Sequence, residues 1–542
     1  MNATTQDLIE CGFRRPEKTF ISTRLRVGLI LCNGTVVLAM FRGNISMAIV
    51  CMVNGTAIAD NLNLNSTAVQ NRTQLKFGTD GEFRDMTDSV EKYLDSERGV
   101  ECSLSNDAKE QYEGELVWFP KQQSVILSSL WFGCFLATMP AGILADKHSP
   151  KLIITVVMSV AAVVNLLTQP AAYFGYMAIS VVRFLIGVAT GFILPCFTTI
   201  VANWVPPNER STFIALMTSG NQLGVIAAYP LFSWMCSLRR ILNGWPLIFY
   251  FTSFYAMAYI ITWAVFVTNK PTKHRKISMK ELTFIQDSLQ HQNMPTCKTD
   301  KVPIPWRHIL KSTPVWACVF NNLAGGLHMH LMGIYLPTYM KDVLYFDLKS
   351  NGLYSMLPYM CLLPLKLFWS FGADVAKRKT TLSHGLICKL SQFISCLVAA
   401  IFLIACSFLS CSHRLLAVIL MCISLSAMAG QTPGFMTSII AIAPQFSGTI
   451  RSMSALVSML GGCVLPYLVG YIVRKRTREE WQIVFSIDAA LVLVAGLVFL
   501  LFASVTIQDW AKSPQKTDQL IELVPVNDGI NDNIVNNCNL KY

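Results

Sequence analysis

Long apolar stretches are the feature that most constrains this chain. A transmembrane helix needs about 20 predominantly apolar residues, and roughly twelve stretches meet that requirement. They cover residues 27–53, 119–144, 151–173, 176–203, 212–237, 245–267, 313–340, 350–373, 385–407, 413–440, 449–473 and 481–505. Only 14% of the residues are charged, against about a quarter in soluble domains. We therefore predict an all-α, polytopic membrane protein with about 12 transmembrane helices.

The two long connections between these stretches carry opposite charge. Residues 54–117 contain thirteen acidic and six basic residues, whereas residues 268–311 contain nine basic and three acidic residues. Basic residues near membrane spans favour the cytoplasm, which predicts that 268–311 is cytoplasmic and 54–117 lies outside. Glycosylation sequons at Asn54, Asn65 and Asn71 agree with this orientation. The basic run 474–478 falls on the outer side, and the sequence alone gives no reason for it.

Short motifs recur in the two halves of the chain, at offsets of 228 to 243 residues. The matched positions are Asp146 and Asp374 after the second and eighth spans, Gly187 and Gly430 in the fourth and tenth, and Trp245 and Trp481 opening the sixth and twelfth. Such repeats predict two six-helix halves that rock around a central site. The predicted organisation is a cytoplasmic tail 1–26, a first half 27–267, a cytoplasmic loop 268–312, a second half 313–505 and a cytoplasmic tail 506–542.

Several other classes of protein are disfavoured. Most of the 17 cysteines lie in apolar stretches, with no CxxC pair and no zinc-ligand spacing. The spans contain no pairing of a nucleophile with a base, which disfavours a membrane enzyme. The net charge of +12 has no soluble face on which to form a nucleic-acid site. We expect a monomer in the lipid bilayer, with no cofactor and no metal.

The turn after the second span carries a recognisable motif. Gly142-x-x-x-Asp146-Lys147-x-x-x-Lys151 resembles the signature loop of the major facilitator superfamily, in which Asp146 and Lys147 correspond to residues that lock the two halves. Further segments resemble the organic-anion branch of that superfamily, which includes sialin, the vesicular glutamate transporters and the type-1 sodium–phosphate cotransporters. These segments are 42–54, 204–211, 336–340, 442–444 and 480–485, within a likeness that extends from about 24 to 510. The sequence around spans seven and eight most resembles that of sialin.

This resemblance implies secondary active transport of a small organic or inorganic anion by alternating access. The membrane would be the plasma membrane or a lysosomal or vesicular membrane, and a coupling ion, sodium or proton, would take part. A transport-inactive relative that acts as a receptor or scaffold remains the alternative.

Two arginines lie deep in the predicted spans. Arg42 is about fifteen residues, or roughly 22 Å, into the first span, and Arg183 lies within the fourth. A buried guanidinium persists when it is paired or faces water, and its forked donors match a carboxylate or phosphate. The resemblance places substrate-binding arginines at both positions. Spans one to six offer no mid-membrane acid as a structural partner, although a structural role for Arg183 stays open.

The chain departs from the family at positions that matter for coupling and for substrate. Thr190 stands where relatives carry the glutamate that couples transport to protons, and Leu127 and Gly325 replace a histidine and an arginine of the glutamate carriers. Glutamate is therefore an unfavourable substrate, and the coupling ion stays open. We place Thr190 and His328 in the candidate substrate site with Arg42 and Arg183. His330 and Lys366 are further candidates for the cavity, and Asp488 is interpreted as a solvated helix cap.

Overall fold

Twelve long helical segments occupy the twelve predicted stretches. The computed structural model describes residues 22–54, 57, 112, 114–206, 209–274, 277–293, 304–379, 381–443 and 446–511. In chain order the segments are α1 (Thr23–Met52), α2 (Pro120–Lys147), α3 (Pro150–Leu166 and Thr168–Phe174), α4 (Tyr176–Trp204), α5 (Arg210–Ser237), α6 (Trp245–Phe266), α7 (Thr313–Asp342), α8 (Leu348–Lys379), α9 (His384–Ser407), α10 (Cys411–Ile442), α11 (Ser447–Ile472) and α12 (Arg478–Phe502). The predicted all-α fold class is confirmed.

Nine of these helices are long and apolar enough to cross a membrane within the described part of the chain, or ten if the two pieces of α3, bent by 46°, count as one span. The other two, α5 and α7, are 28 and 30 residues long but more polar. Helix α7 carries two asparagines and two histidines. Polar groups at membrane depth face the bundle interior or a water-filled cavity. The composition of α7 therefore indicates that this helix lines a binding site.

Helix starts and breaks follow local sequence signals. The side chains of Ser22, Ser149 and Ser383 each accept a hydrogen bond from a backbone N–H in the first turn of α1, α3 and α9, which is the usual role of an N-cap serine. Helix α10 changes to a wider turn over Thr432–Met436, where Gly434 leaves the helical conformation. Proline and glycine in this segment account for the break.

Close helix contacts hold the first half, α1–α6, together. A Cβ added to Gly187 of α4 would overlap the carbonyl oxygen of Leu130 in α2, and one added to Gly133 would lie 2.7 Å from the backbone nitrogen of Val188. Glycine is required where two helix backbones approach this closely. At the other side of this half, a disulfide joins Cys51 at the end of α1 to Cys236 at the end of α5.

The two halves meet mainly toward one end of the bundle, the end where α1 finishes and α2 begins. The charge pattern predicts this end to be outside the cytoplasm, and we call it the outer side. Hydrogen bonds between α1–α6 with their outer loop and α7–α12 cluster there, and α5 packs against α8 while α2 packs against α11. They include Tyr229 Oη to the Gly333 carbonyl (2.7 Å), Ser128 Oγ to the Cys463 carbonyl (2.9 Å), Lys341 Nζ to the Val50 carbonyl (3.0 Å) and Tyr112 Oη to the Phe346 carbonyl (2.7 Å). These contacts close the outer side, so the structure opens toward the opposite end, which the charge pattern predicts to be cytoplasmic.

The basic run 474–478 takes part in this outer closure. Arg476 lies 3.8 Å from the carboxylate of Asp342 in α7 and donates a long hydrogen bond of 3.5 Å to Gln123 in α2. The side chain of Glu480 accepts hydrogen bonds from the backbone of Lys475 and Thr477. These contacts give the physical reason for basic residues on the outer side: Arg476 bridges the halves.

The orientation has a direct test in the sequons. Asn65 and Asn71 lie outside the described residues, and Asn54 lies two residues after the end of α1. We expect glycosidase treatment to increase the mobility of the expressed protein on gels, and the shift to disappear when all three asparagines are changed to glutamine. The sequons at Asn33 and Asn44 are internal controls, because both lie within α1 and must stay unmodified. If glycosidase leaves the gel mobility unchanged and protease added from outside does not cleave residues 54–117, the predicted orientation is wrong.

Candidate functional site

A cavity of about 210 Å³ lies between the two halves. Helices α1 and α2 line it from the first half, and α7, α10 and α11 line it from the second. The lining residues are Arg42, Trp131, Asn322, His330, Phe435, Arg451, Ser454, Ala455, Ser458 and Met459. A cavity at the interface of the halves is where an alternating-access carrier holds its substrate.

Arg42 of α1 brings a charge into this cavity. Its guanidinium carbon lies 5.2 Å from the centre of the Trp131 ring, and its Nε is buried with no hydrogen-bond partner. Among the described residues, Arg42 forms no ion pair. The contact with Trp131 positions the guanidinium and stabilises it partly, but its donors remain available for a ligand.

His330 of α7 contacts the same tryptophan ring. The rings of His330 and Trp131 meet edge to face with their centres 4.1 Å apart, and Nδ1 of His330 is buried without a partner. The ring can be neutral and accept at one nitrogen while it donates at the other. Arg42, Trp131 and His330 therefore form one cluster contributed by both halves.

The second half adds small polar groups. Asn322 donates 2.9 Å to the carbonyl of Ser454, which fixes α7 against α11, and the hydroxyl of Ser454 is buried with no partner. Arg451 lies one turn from the start of α11 and is exposed, so the cavity reaches water at the end of the bundle opposite the outer side. The residues that line the cavity include no acid. Such a cationic, hydrogen-bonding cavity is suited to an anion.

Arg183 is placed elsewhere, inside the first half. It is fully buried, donates 2.7 Å to Oδ1 of Asn44 and 3.3 Å to the carbonyl of Phe41, and lies over the Phe249 ring at 5.1 Å. Asn165 extends this network by accepting from Asn44 at 3.2 Å. Arg183 thus cross-links α1, α4 and α6 through neutral partners, and it is not among the lining residues of the cavity.

Thr190 and His328 also lie away from the cavity. Thr190 is buried in the contact between α2 and α4, where its hydroxyl donates 3.1 Å to the Gly187 carbonyl. His328 is fully buried, and its Nδ1 lies 2.7 Å from a carboxylate oxygen of Asp488 in α12. The interpretation of Asp488 as a solvated cap is therefore wrong, because its exposed fraction is 6%. Residues two apart on a helix face different directions, so α7 directs His330 rather than His328 into the cavity.

Of the remaining sequence candidates, neither Lys366 nor Lys147 lines the cavity. Lys366 is half-buried in α8 and is not among the lining residues. Lys147 is exposed at the end of α2, and the side chain of Asp146 falls outside what the structure describes. Within the described residues, no group of three or more histidine, cysteine, aspartate or glutamate side chains could hold a metal ion.

Comparisons with known proteins agree with this architecture. The family model for the Major Facilitator Superfamily matches residues 31–391, and that for the BT1 family matches residues 390–540. Sialin of Ovis aries is 28% identical over 92% of this chain and 92% of its own length. Sodium-dependent phosphate transport protein 1 of Homo sapiens is 30% identical over 74% of this chain and 84% of its own length.

Solved structures show the same fold. The inward-open xylose transporter XylE from E. coli aligns with a TM-score of 0.59 at 12% identity, covering 90% of this chain and 98% of the other. At that identity the likeness concerns the fold alone.

Proposed function

The chain belongs to the Major Facilitator Superfamily, and from that premise we propose that it carries a small carboxylate- or phosphate-class anion across the membrane by alternating access. The transported anion binds in the cavity between the halves, with Arg42 as its principal ligand. Trp131 and His330 complete that side of the site. One relative is named a sodium-dependent phosphate transport protein, and phosphate is a small anion of this class.

The observation that carries the proposal is the unpaired guanidinium of Arg42. A charge at membrane depth pairs with another group or faces a water-filled cavity, and Arg42, unlike Arg183, lines the cavity between the halves. The cavity supplies water in the inward-facing state, and an anion supplies the counter-charge when the halves close. Bidentate binding by a guanidinium suits a planar carboxylate or a phosphate, and the buried, unpaired Nδ1 of His330 and Oγ of Ser454 add neutral hydrogen-bonding groups.

Inorganic phosphate is the first probe for this site. The cavity volume of about 210 Å³ accommodates a small anion, and phosphate presents oxygens in every direction to donors from both halves. The inactive-relative alternative, a receptor or scaffold, predicts no uptake at all. Uptake of labelled phosphate into proteoliposomes that contain the purified protein distinguishes a transporter from a receptor or scaffold, with protein-free vesicles as the blank.

The driving ion can be tested in the same vesicles. Thr190 has no titratable group and is bonded within α4, and the buried pair His328 and Asp488 lies outside the cavity. The cavity lining contains no carboxylate, and its histidine, His330, is the remaining side chain there that titrates near neutral pH. We expect an inward proton gradient at fixed voltage to change the initial rate less than about twofold, because Thr190 stands where relatives carry the proton-coupling glutamate. A sodium gradient or membrane potential should drive uptake instead. Steep stimulation by the proton gradient alone would contradict this expectation.

A further inference from the structure

Lys341 is a cation of the outer closure that contacts the first half without an acid. It lies in the last turn of α7, and its Nζ donates 3.0 Å to the carbonyl oxygen of Val50 in α1. The same Nζ lies 4.7 Å from the centre of the Tyr112 ring. The neighbouring carboxylate of Asp342 lies 3.8 Å from Arg476, and among the described residues Lys341 forms no ion pair. The direct contacts of Lys341 across the closure are therefore with uncharged groups.

The carbonyl of Val50 is free to accept because α1 ends there. The last four carbonyl groups of a helix lack intrahelical partners, and the N–H of Asn54, which would otherwise bond to Val50, donates 2.9 Å to the carbonyl of Leu116. The C-terminal end of a helix carries a partial negative charge, and α1 has no basic residue in its last turn. Lys341 therefore caps α1 from the other half of the protein.

This cap depends on the outer closure. In alternating access the two halves part on one side of the membrane as they close on the other, and parting on the outer side separates α7 from α1. The ammonium group then loses the Val50 carbonyl. Asp342 does not replace that carbonyl, because consecutive residues on a helix do not face each other. The ammonium group has three donors and no acceptor, so opening of the outer side leaves an unpaired cation there.

The position of Lys341 along α7 places this cation on the route to the cavity. His330 lines the cavity from α7, and Lys341 lies eleven residues further along the same helix. Eleven residues make about three turns, or roughly 16 Å, so the two side chains project from the same face. The face of α7 that lines the cavity therefore carries Lys341 at its outer end.

We propose that Lys341 is a second anion-binding residue, which binds the transported anion from the outer side before the anion reaches Arg42. While the outer side is closed, the C-terminal end of α1 occupies the ammonium group. When that side opens, a carboxylate or phosphate oxygen replaces the helix end. This inference rests on the proposed function and adds an outer binding position for the same class of anion.

Kinetics on the two sides of the membrane test this role. Right-side-out and inside-out plasma-membrane vesicles from the same cells give the apparent KM for labelled phosphate on the outer and on the cytoplasmic side. Lys341→Gln removes the charge and keeps a hydrogen-bond donor. We expect the ratio of the outer KM to the cytoplasmic KM to rise about fivefold or more, because a hydrogen bond to a charged group changes affinity by roughly tenfold or more. The KM does not depend on how much folded protein the membrane contains.

A role in closure alone predicts the opposite sign. If Lys341 only held the outer side closed, Lys341→Gln would populate the outward-facing state, and the ratio would fall. Lys341→Arg keeps a cation for both partners, so its ratio should stay within about twofold of the wild type. Lys349→Gln is the matched control, because Lys349 is an exposed lysine in the first turn of α8 at the same end of the bundle, and its ratio should equal that of the wild type.

The outcomes are distinguishable. An unchanged or lower ratio in Lys341→Gln overturns this inference and leaves the proposed anion transport intact. An equal rise in Lys349→Gln shows a general effect of charge on the outer surface and overturns the assignment to Lys341. Absence of labelled phosphate uptake by the wild type in both vesicle preparations overturns the proposed function together with this inference.

Discussion

Replacing Arg42 with alanine is expected to abolish anion uptake while the protein still reaches the membrane. The guanidinium packs on Trp131 and otherwise has no ionic partner among the described residues, so its removal leaves no buried acid unpaired. A hydrogen bond to a charged group contributes about 1.5–3 kcal/mol, which is roughly a ten- to hundredfold change in affinity per contact. Loss of a two-pronged contact therefore takes uptake below detection.

The lysine variant separates charge from geometry. Arg42→Lys keeps the positive charge but loses the fork of donors, and we expect a rise in the apparent KM of roughly tenfold or more with normal surface delivery. Uptake kinetics and surface biotinylation of each variant provide the measurement. If Arg42→Ala transports with wild-type affinity, the substrate binds elsewhere. If Arg42→Lys is retained inside the cell, Arg42 is required for folding.

Arg183 supplies the contrast. Its guanidinium cross-links three helices through Asn44 and the Phe41 carbonyl, so Arg183→Ala should reduce the amount of folded protein at the surface. Any loss of uptake should then follow the loss of protein rather than a change of KM. Arg42 and Arg183 are both deep arginines in the sequence, but substitution of Arg42 should change substrate affinity, whereas substitution of Arg183 should change the amount of folded protein.

The helices could be predicted from the sequence because lipid imposes a strong rule on the chain. A span must be long, apolar and helical, and each predicted stretch lies within a few residues of an observed helix, as with residues 176–203 and α4, Tyr176–Trp204. The bend in α3 and the break in α10 were not predicted. Both depend on whether neighbouring helices supply hydrogen-bond partners to the distorted backbone. The hydrophobic pattern of the sequence carries no information about these partners.

The candidate site was only partly predictable. Arg42 reaches the cavity as expected, but the rotation of α7 decides between His328 and His330, and Asp488 fixes that rotation from 160 residues away. The sequence offers Arg183 no acidic partner in its half, and the structure provides a neutral amide, Asn44. Long-range partners such as these follow from helix packing, and amides at membrane depth in α1 and α3 were the signal that could have indicated them.

Alternating access also predicts that the outer closure can be blocked at one glycine. Gly352 of α8 faces α5, where an added Cβ would overlap the side chain of Ser233 and lie 2.8 Å from the carbonyl oxygen of Tyr229. A hydrogen bond from the Ser233 hydroxyl to the Leu348 carbonyl crosses the same contact. The backbone of α5 cannot yield to a side chain at this position, so α5 and α8 must separate to accommodate one.

Gly352→Leu is therefore expected to hold the carrier open to the outer side and to stop transport without loss of surface protein. Overpacking costs about 1–3 kcal/mol, which shifts the population of the two states by roughly 5- to 150-fold. Cys463 reports the change, because it is buried in the present state and its carbonyl accepts from Ser128 across the closure. A membrane-impermeant maleimide added from outside should label Cys463 in Gly352→Leu and not in the wild type, with Cys463→Ser as the blank.

Gly352→Ala should show a weaker form of the effect, and Gly372→Ala in the same helix should show none, because nothing lies within 4 Å of its added Cβ. Unchanged uptake and an unlabelled Cys463 in Gly352→Leu would mean that the contact between α5 and α8 is not part of the transport cycle.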